Sequence, residues 1–326
     1  MIKKRLFVFM RASLVAAARF FAPARVYTAV LPAALVLLAA VAGCGEAANS
    51  FRFVFMTDIH VRPELEADAG YRSAIQKVNE LKPEFVITGG DLVSDALAQP
   101  YGRAAQLYDL FIEISRDFDM PVYHTLGNHE IFGLYEKSGV EPDHPQYGKA
   151  LYQQAMGIER TYYSFDHKGW HFVILDAVGM TAERSYIGEV DSVQLDWLER
   201  DLAGLAPGTP VAAVLHIPLV SVYEQMKHGA TAAFRPSGVV TNSLQVLDIL
   251  QRADLKLVLQ GHLHIVEEII YGDVHYITGG AVSGAWWRGD RDGFPEGFVV
   301  VDVDGERFDW SYQTFGWVAQ IDETGE

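Results

Sequence analysis

The chain has 326 residues, half of them hydrophobic, and a formal net charge of −16. This length and apolar content exclude a disulfide mini-protein and a disordered chain. Residues 1–43 carry six basic side chains and no acidic one, so 20 basic and 42 acidic side chains remain in the rest of the chain. That acidic remainder argues against extended nucleic-acid binding, and a phosphate-bearing ligand would need a local positive charge such as bound metal ions.

The first 43 residues have the layout of a signal peptide. Basic side chains precede an apolar run over residues 29–42, which at fourteen residues is short for a membrane span of about 20. The run ends in Ala42-Gly43-Cys44, which resembles a bacterial lipobox, and Cys44 is the only cysteine of the chain. We therefore expect residues 1–43 to be removed, Cys44 to carry the lipid and residues 44–50 to form a linker. Several acyl chains would anchor the protein firmly.

The resemblance to a lipobox predicts that the protein lies on the periplasmic side of a membrane. Gly45 replaces the aspartate that retains many lipoproteins at the inner membrane, which favours the outer membrane. Met1 and Met10 are both possible start residues, and a buried core cysteine behind an uncleaved anchor is the alternative for Cys44. A single cysteine also excludes an internal disulfide and a cysteine-based zinc cluster.

From Phe51 onward, apolar runs of strand length alternate with helical patterns. Most runs are continuous in apolar residues, which is typical of strands covered on both faces. They predict strands over Phe51–Met56, Phe85–Thr88, Val122–Leu126, His171–Asp176, Val211–Leu215, Leu255–Leu259, Val274–Thr278 and Phe298–Val303. Helical spacing predicts helices over residues 71–81, 103–116, 191–203 and 242–252.

This alternation indicates an α/β fold with parallel strand pairs. The later strands, with Gly and Asp between them, favour an antiparallel extension. We expect one domain over residues 51–326, with residues 284–326 as a C-terminal extension packing on it. Asp191 with Gln194 three residues later is typical of a capping box at a helix start.

Polar clusters directly follow five of the predicted strands. Loops at the carboxyl ends of strands in an open α/β sheet share one edge, so these clusters should converge. The expected set is Asp58, His60, Asp91, Asn128, His216, His262 and His264. Imidazole and carboxylate ligands suit Mn, Fe, Zn or Ni rather than calcium, and seven ligands are enough for two ions that share a bridge. Gly90, Gly127 and Gly261 let the chain turn beside a metal without a Cβ.

The order of these motifs resembles the calcineurin-like metallophosphoesterase superfamily. The motifs are Asp58-x-His60, Gly89-Gly90-Asp91, Gly127-Asn128-His129-Glu130, His216-x-Pro218 and Gly261-His262-x-His264. The resemblance implies a sandwich of two mixed β-sheets flanked by helices. It implies a first metal on Asp58, His60 and His264, and a second on Asn128, His216 and His262. It also implies that Asp91 bridges both ions and that His129 donates a proton beside the substrate.

One position departs from the phosphoprotein phosphatases of that superfamily. Those enzymes have an aspartate three residues after the bridging one, whereas this chain has Ser94 there and Asp95 one place further on. A pairing of Asp95 with His129 is therefore doubtful.

The later part of the chain is similar to bacterial phosphohydrolases of the broad class that includes cyclic-nucleotide phosphodiesterases. The similar segments are residues 194–198, 284–287 and 292–298. Trp286 and Trp287 are candidates to stack a base or sugar, although core or hairpin roles are commoner for tryptophan. Arg288 is a candidate to grip a substrate phosphate, as is Arg235.

The function that these observations predict is hydrolysis of phosphate esters by two divalent metal ions, Mn, Fe or Zn, and a bridging hydroxide. No Ser or Cys nucleophile stands in a nucleophile-elbow context. Three alternatives stay open: a catalytically silent metal- or phosphate-binding module or scaffold, hydrolysis of a non-phosphorus ester, and buried hydrogen-bonded polar residues without any ion. The choice between monoester and diester is also open.

The other histidines are expected to have mainly structural roles. His124, His167, His171 and His275 lie in or beside strands, where local partners can satisfy both ring nitrogens. His144 and His228 lie in the long segments 131–165 and 219–241, which have few strand signals and are expected to shape a pocket.

Overall fold

The computed structural model describes residues 49–320. The predicted signal peptide, Cys44 and most of the predicted linker lie outside the described residues. The strands are β1 (Ser50–Met56), β2 (Phe85–Thr88), β3 (Val122–His124), β4 (Tyr163–His167), β5 (Trp170–Ile174), β6 (Val178–Met180), β7 (Tyr186–Gly188), β8 (Pro210–Val214), β9 (Asp254–Gln260), β10 (Val266–Tyr271), β11 (Val274–Gly279), β12 (Gly297–Asp304) and β13 (Arg307–Thr314). The helices are α1 (Ala67–Leu81), α2 (Tyr101–Ser115), α3 (Ala150–Met156), α4 (Ser192–Ala203), α5 (Tyr223–His228) and α6 (Ser243–Leu250).

The strands form two large mixed sheets and one small ribbon. The five-stranded sheet has the order β13-β12-β1-β2-β3, and the six-stranded sheet has the order β10-β11-β9-β8-β5-β4. Parallel pairs run from β1 to the edge strand β3 in the five-stranded sheet and occupy the middle of the six-stranded sheet, from β11 to β5. Antiparallel pairs lie at both edges of the six-stranded sheet and at the β12–β13 side of the five-stranded sheet, and β6 with β7 forms a separate antiparallel ribbon.

The core between the sheets is rich in aromatic rings. Side chains alternate along β1, so Phe51, Phe53 and Phe55 point to the same face. They join a buried cluster that also contains residues of the six-stranded sheet, such as Phe172. This mixed membership shows that the two sheets pack face to face as a sandwich.

The opposite faces of the sheets are covered by helices. Val54 and Met56 of β1 belong to a second buried cluster that includes the apolar sides of the helices. Helix α1 contacts α2, and α4 contacts α6. The expected α/β sandwich of two mixed sheets flanked by helices is therefore confirmed.

All eight predicted strands and four predicted helices are present, with ends shifted by up to four residues. The sequence pattern did not predict β4, β6, β7, β10 and β13 or the short helices α3 and α5. In β13, exposed and half-buried residues alternate rather than forming an apolar run. Helices α3 and α5 have only seven and six residues, too few to show a helical repeat.

The C-terminal segment corrects the expected domain layout. Strand β12 pairs antiparallel with β1 from Ser50–Asp304 to Phe55–Val299, and β13 pairs with the other side of β12. Within the predicted extension, β12 and β13 are therefore part of the five-stranded sheet rather than an addition packed on the domain. The buried apolar run of β12 fits this interior position.

The start of α4 shows half of the predicted capping box. The Asp191 carboxylate accepts a hydrogen bond from the Gln194 backbone N–H at 2.9 Å. The Gln194 side chain instead bonds the backbone N–H and C=O of Asp176, each at 2.8 Å. Gln194 thus ties the helix to the end of β5 rather than returning to its own cap.

Candidate metal centre

The predicted ligands converge at the carboxyl ends of five strands. Loops after β1, β2, β3, β8 and β9 supply them. All seven are buried except His262, which is half-buried: Asp58, His60, Asp91, Asn128, His216, His262 and His264. The sandwich thus assembles side chains that are up to about 200 residues apart in the chain.

Asp58, His60 and His264 form one compact group whose candidate ligand atoms face one another. His60 Nε2 lies 3.1 Å from His264 Nε2, and His264 Nε2 lies 3.1 Å from Asp58 Oδ1. His60 Nε2 is 3.9 Å from the same Asp58 oxygen. One carboxylate oxygen and two imidazole nitrogens thus surround a single point, as metal ligands do.

Asp91, His216 and His262 form a second group. His216 Nε2 lies 3.1 Å from Asp91 Oδ2. The same Asp91 oxygen is 3.6 Å from His60 Nε2 of the first group. Asp91 therefore lies between the two groups, in the position that a bridging carboxylate needs.

The donor atoms fit metal ions. Asn128 Oδ1 is buried and has no hydrogen-bond partner among the described residues, and Asp58 Oδ1 accepts no hydrogen bond despite its contact with His264. Leaving buried polar atoms unpartnered is costly, and a cation would satisfy them. Imidazole with carboxylate suits Mn, Fe or Zn. The chain thus presents candidate ligands for two divalent ions.

The backbone at this site is strained. Five of the seven ligands have a positive φ, between 48° and 72°: Asp58, His60, Asp91, His262 and His264. Such conformations cost about 1–3 kcal/mol each in residues other than glycine, and they persist only where surrounding contacts fix them. Here the Asp58 N–H donates to Gly90 O at 3.0 Å and the His60 N–H to Asp91 O at 2.8 Å. The loops after β1 and β2 therefore hold each other in place.

Backbone carbonyls orient three of the histidines. His216 Nδ1 lies 2.8 Å from Gly89 O, His264 Nδ1 lies 2.5 Å from Gly284 O, and His129 Nδ1 lies 2.5 Å from Ser94 O. Since a carbonyl oxygen only accepts, each Nδ1 carries the proton and donates it. In the neutral ring this leaves the Nε2 lone pair available for a metal.

The Glu130 carboxylate holds the turn beside Asp91. It accepts hydrogen bonds from the backbone N–H groups of Asp91, Leu92, Val93 and Gly127 at 2.7–3.1 Å. Burial and the charge of Asp91 raise the pKa of Glu130 to about 8, although N–H donation from Val93 and Gly127 opposes this rise. Glu130 does not reach the ligand groups and instead fixes the loops that carry them.

Two glycines allow this close packing. A Cβ on Gly127 would lie 2.2 Å from the Asp91 backbone nitrogen, and a Cβ on Gly261 would lie 2.1 Å from Thr57 Oγ1. Real Cβ atoms do not approach other atoms so closely. Both positions therefore require glycine so that the loops can meet.

Electrostatics favour the protonation states that a metal needs at Asp58, His60 and His262, but not at His216. Burial opposes charge on Asp58, but the imidazoles of His264 and His216 outweigh it and lower the pKa of Asp58 to about 2. Burial lowers the pKa of His262 to about 4 and that of His60 well below its usual value. Burial also opposes charge on His216, but Asp91 and Asp58 raise its pKa to about 9. Metal binding at His216 must therefore displace a proton.

His129 lies beside the ligand groups. Its Nε2 is 3.9 Å from Asp91 Oδ2, and its side chain is 23% exposed, so the ring reaches the open side of the site. Its Nδ1 bonds the carbonyl of Ser94, at the position where the departure from the phosphoprotein phosphatases occurs. Asp95 accepts hydrogen bonds from the Ala98 N–H and the Gln99 side chain. The partner of His129 Nδ1 is thus the Ser94 carbonyl, and the Asp95 carboxylate has other partners.

The two tryptophans have different environments. Trp287 is fully buried, and its Nε1–H donates to the carbonyls of Ile59 and His60 at 3.0 and 3.2 Å. The expectation that Trp287 binds substrate is therefore wrong, because its ring lies in the core against Gly70. Trp286 is only half-buried, and its ring centroid lies 4.6 Å from that of His264. Trp286 is thus placed at the site, and Arg288 is exposed two residues later.

The remaining histidines have local partners. His124 Nδ1 lies 3.0 Å from Thr88 Oγ1, and His171 bonds two aspartates. His167 bonds Glu84, and His275 bonds Glu268. The sequence reading missed Arg62, which donates to the carbonyl of Trp286 at 3.2 Å. The position of Arg62 two residues after His60 was the only signal that could have identified it.

Comparison with known proteins places these features in context. Residues 51–266 match the family model described as calcineurin-like phosphoesterase. A 3′,5′-cyclic-nucleotide phosphodiesterase of Nostoc sp. is 24% identical over 232 residues, which cover 68% of this chain and 74% of that protein. A cAMP/cGMP dual specificity phosphodiesterase of Mycobacterium tuberculosis is 22% identical, and the match covers 61% of this chain and about half, 55%, of that protein.

Solved structures share the fold. A dimetal phosphatase from Danio rerio superposes with a TM-score of 0.59 at 16% identity, covering 81% of this chain and 96% of that one. A purple acid phosphatase from yellow lupin gives a TM-score of 0.56 at 16% identity, covering 82% of this chain and 52% of that one. At these identities the superpositions support the two-sheet architecture.

Proposed function

Because this chain belongs to the calcineurin-like phosphoesterase family, we propose that it hydrolyses small phosphodiesters of the 3′,5′-cyclic nucleotide class. It is a metal-dependent hydrolase of phosphate esters. The observation that carries the proposal is the convergence of six predicted ligands, Asp58, His60, Asp91, His216, His262 and His264, with His129 at their open side. The names of the similar phosphodiesterases support the diester class.

Each ligand residue has a role in this reaction. Two divalent ions at the site would supply Lewis-acid activation of water and of phosphate oxygens. Asp58, His60 and His264 would hold one ion, Asn128, His216 and His262 the other, with Asp91 shared between them. The two aspartates bring negative charge, and the imidazoles bind as neutral donors.

His129 supports departure of the alcohol. Its Nδ1–H is directed at the Ser94 carbonyl, which leaves Nε2 directed toward the site. Nε2 lies 3.9 Å from Asp91 Oδ2, so a proton carried there would face the reacting phosphate. That proton can move to the leaving alkoxide as the P–O bond breaks, and general acid catalysis of this kind contributes about 10²–10⁴-fold.

A substrate panel tests the proposal. The purified protein, loaded with Mn²⁺, is assayed with 3′,5′-cyclic AMP, bis(p-nitrophenyl) phosphate and p-nitrophenyl phosphate. We expect kcat/KM for the two diesters to exceed that for the monoester. Faster turnover of the monoester would contradict the diester class. Two bound metal ions per chain without turnover of any phosphate ester would support the binding-module alternative.

We also propose that the protein is exported and held at a membrane by lipid on Cys44. The lipobox-like sequence supports this location. Among residues 49–320, no helix has the length and apolar character needed to cross a bilayer. Cys44→Ser should abolish lipid labelling and release soluble or unprocessed protein. A variant that still carries label and fractionates with membranes would contradict the proposal.

A further inference from the structure

Residues 282–287 form a turn that packs on the loop carrying two ligands of the first group. The Val282 backbone N–H donates to Thr57 O at 2.9 Å. The Ser283 backbone N–H and hydroxyl both donate to Asp58 O, at 3.1 and 2.8 Å. The turn therefore covers the carbonyl side of the loop after β1, whereas N–H groups of that loop bond the loop after β2.

The Trp287 indole continues this row of contacts to His60. Its single N–H has two acceptors, Ile59 O at 3.0 Å and His60 O at 3.2 Å. These carbonyls belong to the two peptide groups on either side of the His60 Cα, and the orientation of those groups defines φ and ψ of the residue between them. His60 has a φ of 48°, which is uncommon in residues other than glycine. The indole N–H therefore fixes the backbone conformation that directs the His60 ring into the first ligand group.

The same turn orients the other imidazole of that group. Gly284 O accepts the Nδ1 proton of His264 at 2.5 Å, and the Trp286 ring lies 4.6 Å from the His264 ring. Both histidines of the first group thus depend on one short segment. Among residues 49–320, no hydrogen bond joins this turn to the residues assigned to the second ion, Asn128, His216 and His262. The direct contacts of the turn are therefore confined to the first group.

Placing the indole there is costly for the chain. Trp286 and Trp287 have φ values of 54° and 70°, which are strained for bulky residues. Trp287 is fully buried, and Gly70 of α1 leaves room for it, because a Cβ on Gly70 would lie 2.2 Å from the ring. Such backbone strain costs about 1–3 kcal/mol per residue and is found chiefly at functional sites. This strain and the two carbonyl acceptors distinguish Trp287 from a tryptophan that only fills the core.

We propose that Trp287 is a positioning residue for the first metal ion, because its N–H holds His60 in the conformation that binds the ion. Loss of this hydrogen bond should weaken binding of the first ion and leave the second unaffected. Groups that orient metal ligands typically contribute about 10–100-fold to metal affinity. Here the contact is made to the backbone on both sides of the ligand rather than to its ring. The inference concerns metal binding and does not depend on which phosphate ester the protein hydrolyses.

Trp287→Phe tests this role, because it removes the N–H and keeps an aromatic ring in the core. Mn²⁺ binding to the purified protein is measured by equilibrium dialysis in two backgrounds. His262→Ala retains the first ligand group, whereas His264→Ala impairs it and retains the residues assigned to the second ion. We expect Trp287→Phe to raise the Kd for Mn²⁺ about tenfold in the first background and less than about twofold in the second.

Trp170→Phe is the matched control. Trp170 is also buried, and its indole N–H donates to Gly305 O at 2.8 Å. It lies at the start of β5, at the end of the six-stranded sheet opposite to the ligands. The same substitution there removes a buried N–H contact without altering the metal centre and should leave both Kd values unchanged. Urea unfolding of each variant checks that it is folded under the conditions of the binding assay.

Three results would overturn the proposal. One is an unchanged Kd for Trp287→Phe in the His262→Ala background, the second is an equal rise in both backgrounds, and the third is the same rise in Trp170→Phe. If Trp287→Phe does not fold, Trp287 is replaced by benzothienylalanine, which keeps the shape of the indole and lacks the N–H. The same Kd values then decide. Because no substrate is present, failure of cyclic-nucleotide hydrolysis does not affect this test.

Discussion

Two regions of this protein place buried histidines against aspartates, and they differ in how their polar atoms are partnered. His171 on β5 bonds Asp166 through Nδ1 at 2.7 Å and Asp201 through Nε2 at 2.9 Å. Both ring nitrogens are therefore satisfied. In the metal centre, the Nε2 atoms of His60 and His264 face each other at 3.1 Å, and Asp58 Oδ1 accepts no hydrogen bond.

The two regions also differ in backbone conformation. His171 lies in a regular strand, whereas His60 and His264 have positive φ values of 48° and 56°. A histidine–aspartate contact alone therefore does not identify a metal site. Buried ligand atoms without a hydrogen-bond partner, such as Asp58 Oδ1 and Asn128 Oδ1, on a strained backbone indicate one, because a bound cation offsets their cost.

The strongest test of this contrast is to change one aspartate in each region. Asp91→Asn removes negative charge between the two ligand groups, so we expect loss of at least one metal ion per chain and of nearly all activity. Elemental analysis and turnover of bis(p-nitrophenyl) phosphate measure both. Asp201→Asn, which alters the His171 region, should keep the metal content and activity of the wild type. Normal metal content and activity in Asp91→Asn would exclude its bridging role.

The next test separates a proton donor from a ligand inside the metal centre. His129→Ala should lower turnover of alkyl phosphodiesters by about 10²–10⁴-fold and largely spare nitrophenyl esters, whose leaving group is stable as an anion. Metal content should stay near that of the wild type. Equal losses on both ester types would instead indicate stabilisation of charge on the phosphoryl oxygens. Full activity on an alkyl ester would remove His129 from the mechanism.

Trp286 and Trp287 allow a comparison of a residue at the metal centre with a core residue, measured as the free energy of unfolding. The Trp287 indole N–H has carbonyl partners in the core, so Trp287→Ala should lower the free energy of unfolding by about 3–5 kcal/mol. Trp286→Ala removes a half-buried ring and should cost less stability. Urea unfolding of the two variants measures the difference. An equal loss would show that Trp286 is also part of the core.

The smallest expected effect is a pH dependence of the free energy of unfolding that arises from the His171 region. Burial opposes charge on His171, but the hydrogen bonds that its ring donates to Asp201 and Asp166 raise its pKa above the usual value of 6.5. Its ion pairs therefore stabilise the fold fully below pH 6.5, and this stabilisation is lost as pH rises through the raised pKa. His171→Gln should lower the free energy of unfolding by about 1–3 kcal/mol at pH 5.5 and by less at pH 9. A loss that does not change with pH would contradict the charged pair.

The sequence predicts the parts of this structure that depend on residue type and local pattern. Continuous apolar runs identify the central strands, and polar clusters after them identify the ligands, because both signals lie within a few residues. The partner of His129 could not be predicted, since the Ser94 carbonyl carries no side-chain signature. The burial of Trp287 depends on the packing of its ring against Gly70 of α1. The hydrogen bond from Arg62 to the Trp286 carbonyl depends on the same turn. Such contacts exist only after the sheets have assembled.

The antiparallel pairing of β1 with β12 has a consequence for how the chain folds. Ser50 and Asp304 are 254 residues apart, and β1 lies between β12 and β2 in the five-stranded sheet. Until Gly297–Asp304 has been synthesised, one edge of β1 stays open, and pairings of such high contact order form slowly. A chain truncated before β12 would expose that edge to other chains and aggregate rather than retain partial activity. The metal centre, whose first ligands directly follow β1, therefore depends on β12, a strand that follows all of the ligands in the chain.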